Sequence, residues 1–171
     1  MRILVIYYSR TGVTRSVAEA VSQALSERDG VDVATEELKE PVDRSGFLGY
    51  LRSGFDAMRK KQATIEPIGM DPWSFDVVVV GTPVWAFKVS PPVRTFLARK
   101  ADRMKNTAFF CTMGGSGEKG TFREMEALCG CAPLAKMALR EKDVKSGDEE
   151  NFRAKVREFA DTVAGSERPA E

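Results

Sequence analysis

The chain alternates short apolar runs with longer amphipathic ones. Ile3-Leu4-Val5-Ile6-Tyr7 is a continuous apolar run and predicts a buried strand over about residues 2–8. Val13, Val17, Ala18, Val21 and Leu25 then recur at helical spacing, which predicts a first helix over 12–28. The same reasoning gives a second strand over 31–36 and a second helix built on Phe47, Leu48, Leu51, Phe55 and Met58. A third strand follows over 75–80, and Pro91-Pro92 opens a third helix that reaches about Asp102. A fourth strand over 107–111, a fourth helix over 120–128 and a fifth strand over 134–140 complete the alternation. A last helix starts near Asp148-Glu149-Glu150, whose charges suit a helix N-terminus, and turns Phe152, Val156, Phe159 and Val163 inward.

Five strands alternating with five helices predict an α/β protein with a parallel sheet. The first, third and fourth strands are apolar throughout, as strands covered on both faces must be. The second and fifth interleave polar residues (Asp32 and Thr35; Lys136), the mark of sheet edges. A three-layer, doubly wound, five-stranded sheet of order 2-1-3-4-5 satisfies both observations. Its order reverses between strands one and three, and ligands of such sheets sit beyond the carboxyl ends of the strands at that reversal. One domain is expected over 1–165, with 166–171 a frayed tail.

Three loops converge there. The first, Ser9-Arg10-Thr11-Gly12-Val13-Thr14, joins a buried strand to a helix N-terminus. Backbone N–H groups and the helix dipole favour an anion at such a turn, and the hydroxyls of Ser9, Thr11 and Thr14 add donors. The chain has neither G-x-x-x-x-G-K-[ST] nor G-x-G-x-x-G after this strand, which disfavours a nucleoside triphosphate or a dinucleotide. The alternative is an ordinary strand-to-helix turn with Thr11 as N-cap. The second loop, Gly81 to Ser90, places Trp85 and Phe87 where a loop is usually polar. In the third, Thr112-Met113-Gly114-Gly115-Ser116-Gly117, the glycines let backbone approach a ligand and turn N–H groups toward it. Taken singly, these aromatics could be loop packing or partner contacts, and these glycines a flexible turn.

Composition narrows the chemistry. The chain has 171 residues, a formal net charge of +1 and no histidine. Triads and metal sites that need imidazole are excluded, so a bound cofactor is expected to carry any difficult step, with no catalytic side chain and no metal site assigned. The charge balance points to neither nucleic acid nor membrane. The N-terminal apolar run is too short for a signal segment and meets Arg10 at once, no run spans a bilayer, and three cysteines fit a reducing, cytoplasmic setting. Cys111 falls in an apolar run as a core residue; Cys129-Gly130-Cys131 is either a redox pair or small residues at a helix-to-strand junction.

With these residues in hand the chain resembles the flavodoxin-like FMN-binding family over nearly its whole length. The turn Ser9–Thr14 resembles the family's phosphate loop, and 81–85 and 112–117 resemble its two ring-lining loops. The resemblance implies non-covalent FMN, its 5′-phosphate held by Ser9, Thr11, Gly12 and Thr14 with the main-chain N–H groups of 10–14, Arg10 and Val13 among them. Thr82, Pro83 and Val84 would run past the ribityl chain and ring, and Trp85, then Phe87, would neighbour the ring. Gly114 and Gly115 would approach the pyrimidine edge within the loop formed by Thr112, Met113, Ser116 and Gly117. The chain departs from the strongly acidic carriers of the family in its near-neutral charge, with basic runs at Arg59-Lys60-Lys61 and Arg99-Lys100 that read either as solvated helix faces or as sites for an acidic partner or the 2′-phosphate of NADPH. The crossover 41–70 carries an aromatic-rich helix that would cap the crevice or join an oligomer interface.

The expected function is electron transfer between redox partner proteins. The alternatives are an FMN oxidoreductase that takes hydride from NAD(P)H and reduces a quinone-like acceptor, and a flavodoxin-fold interaction protein without enzymatic activity.

Overall fold

The computed structural model describes residues 1–41, 63–145 and 149–166. The strands are β1 (Arg2–Tyr7), β2 (Asp32–Glu37), β3 (Val77–Trp85), β4 (Lys88–Val89), β5 (Thr107–Met113) and β6 (Lys136–Arg140). The helices are α1 (Val13–Ser26), α2 (Pro91–Lys100), α3 (Glu118–Cys129), α4 (Glu141–Lys145) and α5 (Glu149–Gly165). The sheet runs β2-β1-β3-β5-β6 with every neighbouring pair parallel, and β4 folds back antiparallel on the end of β3. Apart from that hairpin, this is the predicted order. The expected second helix (47–58), the run Arg59-Lys60-Lys61 and the tail beyond 166 lie outside the described residues.

Two cores sandwich the sheet because side chains alternate along each strand. Ile3, Val5 and Tyr7 of β1, Val77 and Val79 of β3, and Ala108 and Phe110 of β5 face one layer. There they meet Val17, Val21 and Leu25 of α1 and Val156, Phe159 and Val163 of α5, with Phe152 packed at the margin, half-buried. Leu4, Ile6, Val78, Val80, Phe109 and Cys111 face the other layer, against Val93, Phe96 and Leu97 of α2 and Phe122 and Met125 of α3. The three central strands are buried almost throughout, whereas β2 has only half-buried and exposed residues and β6 alternates buried residues with exposed or half-buried ones, as edge strands do.

The third strand runs five residues past its expected end. Beyond Val80, β3 keeps pairing with β5 as far as Pro83↔Thr112, while β1 stops at Tyr7↔Gly81. Pro83, which lacks an N–H, is tolerated because one of its sides no longer faces a strand. Gly81 is required by packing: a Cβ there would lie 2.1 Å from Cζ of Phe110. The segment 81–90, expected as a loop, is therefore mostly strand and hairpin, and Thr112 and Met113 close β5 rather than open a loop.

Candidate functional site

The carboxyl ends of β1, β3 and β5 lie side by side, so the segments 8–14, 81–90 and 112–117 border one crevice at the reversal of strand order. The Tyr8 amide donates to the Gly81 carbonyl (3.2 Å), carrying the β1–β3 ladder into the first turn.

That turn is built by its own residues. Gly12 is the N-cap of α1 and sits at φ 89, the left-handed region that costs most residues about 1–2 kcal/mol. A Cβ on Gly12 would meet nothing within 4 Å, so glycine is here for backbone conformation, and the space above it is open. Ser9 Oγ accepts from the amides of Gly12 and Arg15 (both 3.2 Å), taking the role expected of an N-cap side chain. This corrects the alternative in which Thr11 caps the helix: Ser9 already serves two amides, and Thr11 is exposed at the rim. Val13 is buried against the sheet. Thr14, only 2% exposed, shares a 2.7 Å hydroxyl–hydroxyl hydrogen bond with Thr112 and ties the first turn to the end of β5. The N-terminal amides of α1 belong to the set that an α-helix leaves without an internal acceptor, and they open toward Gly12 with the positive end of the dipole.

The second wall is the β3–β4 hairpin. Thr82 is fully buried, and its hydroxyl is committed to Ser90, through Oγ at 3.0 Å and the Ser90 amide at 3.2 Å, so it pins the hairpin's base. Pro83 and Val84 are half-buried along the strand. Trp85 is 8% exposed; Tyr8 meets its ring edge-on at 5.6 Å, and the Arg10 guanidinium lies 5.8 Å from its centroid. Ala86 and Phe87 turn the hairpin at φ 48 and φ 63, the pattern of a type I′ turn without the glycine or asparagine that such turns favour. Phe87 is 64% exposed. Of the two expected ring neighbours, Trp85 is thus mostly covered by protein and Phe87 projects.

In the third segment Gly114, Gly115 and Ser116 are exposed, and a Cβ on either glycine would meet nothing within 4 Å. Met113 is buried. Gly117 serves the hairpin: at φ 121 its Cβ would lie 2.7 Å from Val84 Cγ1 and 3.1 Å from Phe87 Cα. Its amide donates to Glu118 Oε2 (3.0 Å).

Two ion pairs brace this end of the sheet, and sequence reasoning missed both. Arg15 donates to both oxygens of Glu37 (2.9 and 2.8 Å), fastening α1 to the end of β2. Burial first, then the charge of Glu37, pushes the nearby Tyr7 phenol up from its ordinary value. Arg94 and Glu124 form a buried pair at 3.0 Å, with side chains 5% and 11% exposed. Its signal was present: each is a charge set in the apolar stripe of its helix, Arg94 beside Val93, Phe96 and Leu97, and Glu124 between Phe122 and Met125.

Burial pushes the Cys111 thiol up to about 12, with Glu118 adding to the shift, so this core cysteine is inert. Burial, with Cys131 adding to it, does the same for Cys129, while Cys131 is exposed. All three cysteines are free. Lys100 of the Arg99-Lys100 run lies 5.1 Å from the Trp73 ring centroid, far along α2 from the crevice. Among the described residues, no helix is long and apolar enough to cross a membrane.

A flavodoxin family model matches residues 2–152. In fold the chain is similar to a flavoprotein of Lactobacillus acidophilus NCFM solved in complex with FMN, at 21% identity over 85% of this chain and 97% of that one (TM-score 0.65). It is also similar to oxidised flavodoxin 1 of Bacillus cereus, at 14% identity over 98% of this chain and 100% of that one (TM-score 0.63). With the family model covering most of its length, the chain belongs to the flavodoxin family, an FMN-binding family.

Proposed function

We propose that this protein binds FMN in the crevice at the strand reversal and passes electrons between redox partner proteins. FMN as the cofactor follows from the family. The residues fit it on their own terms. The observation that carries the reading is the turn at Gly12: open space lies above a left-handed glycine, before the amides of α1 and beside the exposed Thr11 hydroxyl. A phosphate dianion suits that combination of N–H donors and helix dipole. Val13 and Thr14 would offer amides and Thr11 its hydroxyl, while Ser9, accepting from the Gly12 and Arg15 amides, and the Thr14 hydroxyl hold the turn's shape through the hydrogen bonds they already make.

When bound, FMN supplies the redox chemistry, taking up and giving back one or two electrons. The protein's part is to place and tune it. The exposed backbone at Gly114 and Gly115 would offer N–H donors to the ring's polar edge, which favours negative charge developing there. Phe87 would give the ring an apolar neighbour, with Arg10 and Trp85 behind it. Thr11, Phe87, Gly114, Gly115 and Ser116 are all exposed, so a ring held among them presents an edge that another protein can reach. Among the described residues this rim is open, which favours electron transfer over a closed two-substrate pocket.

The test is anaerobic reduction of the FMN-loaded protein, followed by visible spectroscopy. Dithionite reduction in two resolved one-electron steps, with no response to NADPH or NADH, is the expected result. Direct bleaching by a pyridine nucleotide with reoxidation by a quinone would instead make the protein an NAD(P)H oxidoreductase. Failure to take up FMN would overturn both.

A further inference from the structure

The hairpin tip poses a physical problem. Ala86 and Phe87 both sit at positive φ, which side-chain-bearing residues adopt only where their surroundings over-determine it. Phe87 is 64% exposed, so burial of its own ring does not hold it there. The restraint lies two residues further on, at Val89. Glu124 Oε2 accepts from the Val89 amide (3.2 Å), and Arg94 Nη2 donates to the Val89 carbonyl (3.1 Å). Arg94 Nε donates to Glu124 Oε1 (3.0 Å), so one ion pair grips both polar groups of a single β4 residue from two helices. Val89 is itself fully buried and pairs with Val84 across the hairpin. On the side of α3, Gly117 and Gly120 leave room for the tip: a Cβ on Gly120 would lie 2.8 Å from the Phe87 carbonyl oxygen.

We infer that Arg94 and Glu124 are positioning residues for the FMN site: they fasten β4 so that the strained Ala86–Phe87 tip stays formed before cofactor arrives, and through it they fix where Phe87 stands at the crevice. The inference about Phe87 and the cofactor rests on the FMN reading above; the inference about the tip does not. A buried charge pair contributes little net stability compared with apolar packing, so its use here is better explained by the backbone it orients. Holding the tip in advance lowers the ordering cost of binding.

The test compares wild type with Glu124→Gln, which keeps an oxygen acceptor but weakens the grip on Arg94, and with Glu124→Gln/Ala86→Gly, which relieves strain at the tip. Hydrogen exchange is measured on the FMN-free protein, and FMN affinity and the visible circular dichroism of bound FMN on the loaded protein. In Glu124→Gln the Lys88 and Val89 amides should exchange about tenfold faster while those of Val79 and Phe110 are unchanged. FMN affinity should fall about threefold to tenfold, with a changed flavin dichroism. Ala86→Gly should restore part of both, since it removes one of the tip's two strained positions and so lessens the need for the clamp. Unchanged exchange at Lys88 and Val89 would overturn the inference, as would an equal rise at core amides, which would make the pair a general stabiliser. Should Glu124→Gln fail to fold, Arg94→Lys replaces it with the same expected pattern. If wild type takes up no FMN, the cofactor reading fails by itself, and the exchange data still decide the clamp.

Discussion

The turn after β1 and the hairpin after β3 border the same crevice, yet they hold their shapes by different means. In the turn, Ser9 bonds amides three and six residues away, and Gly12 adopts its left-handed conformation without strain. In the hairpin, Ala86 and Phe87 adopt positive φ at a cost, and the restraints reach Val89 from two helices, Arg94 five residues away and Glu124 35 residues away. A wall made from local bonds can present bare amides to a ligand. A wall held from two helices can present a side chain at its tip, and Phe87, 64% exposed, is that side chain.

The largest effect that separates the two roles concerns the hairpin's aromatics. Trp85→Ala should cost about 3–5 kcal/mol in urea unfolding, because it empties a buried site beside Tyr8. Phe87→Ala should change stability by less than about 0.5 kcal/mol yet alter the dichroism of bound FMN. Equal stabilities for the two variants would break the distinction between a supporting and a presented ring. Next come two glycines at positive φ. Gly117→Ala should cost about 2–4 kcal/mol, since a Cβ would meet Val84 and Phe87, whereas Gly12→Ala, with open space around it, should cost about 1–2 kcal/mol for its conformation alone. Thermal or urea unfolding of the FMN-free proteins gives both numbers, and a reversed ranking would contradict the steric account of the hairpin.

Smaller in stability but sharper for function is Thr11→Ala. It removes an exposed hydroxyl and should leave the FMN-free protein as stable as wild type. FMN affinity should fall by about 1–3 kcal/mol, the scale of one hydrogen bond to a charged group, as read from a fluorescence titration. Unchanged affinity would move the phosphate away from this turn. The smallest perturbation is chemical. At pH 8 an aromatic disulfide reagent should titrate Cys131 alone in the native protein, because burial holds the Cys111 and Cys129 thiols at about 12 and so suppresses their thiolates. All three should react in denaturant. A second fast thiol in the native state would show that Cys129 is less protected than its burial implies.

Much of this architecture is legible in the chain. The apolar runs that became β1, β3 and β5 had to be covered on both faces, and the mixed runs that became β2 and β6 had to lie at edges; strand order and the place of the crevice follow from those two facts. The turn at Ser9–Thr14 was legible too, because Ser9 and Gly12 shape it from within the segment; its Thr14–Thr112 tie to the end of β5 was not. Contacts between distant residues decided the rest. Pairing with β5 drew β3 on to Pro83, and pairing with β4 carried it to Trp85, where composition alone suggested a loop. The Arg94–Glu124 clamp, with Gly117 and Gly120, placed Trp85 inside and Phe87 outside, though as residues the two aromatics look alike. Periodicity reports which faces are apolar, and local chemistry shapes short turns. Which of two aromatics separated by a single residue, Trp85 or Phe87, meets solvent depends on groups that only the folded chain brings together.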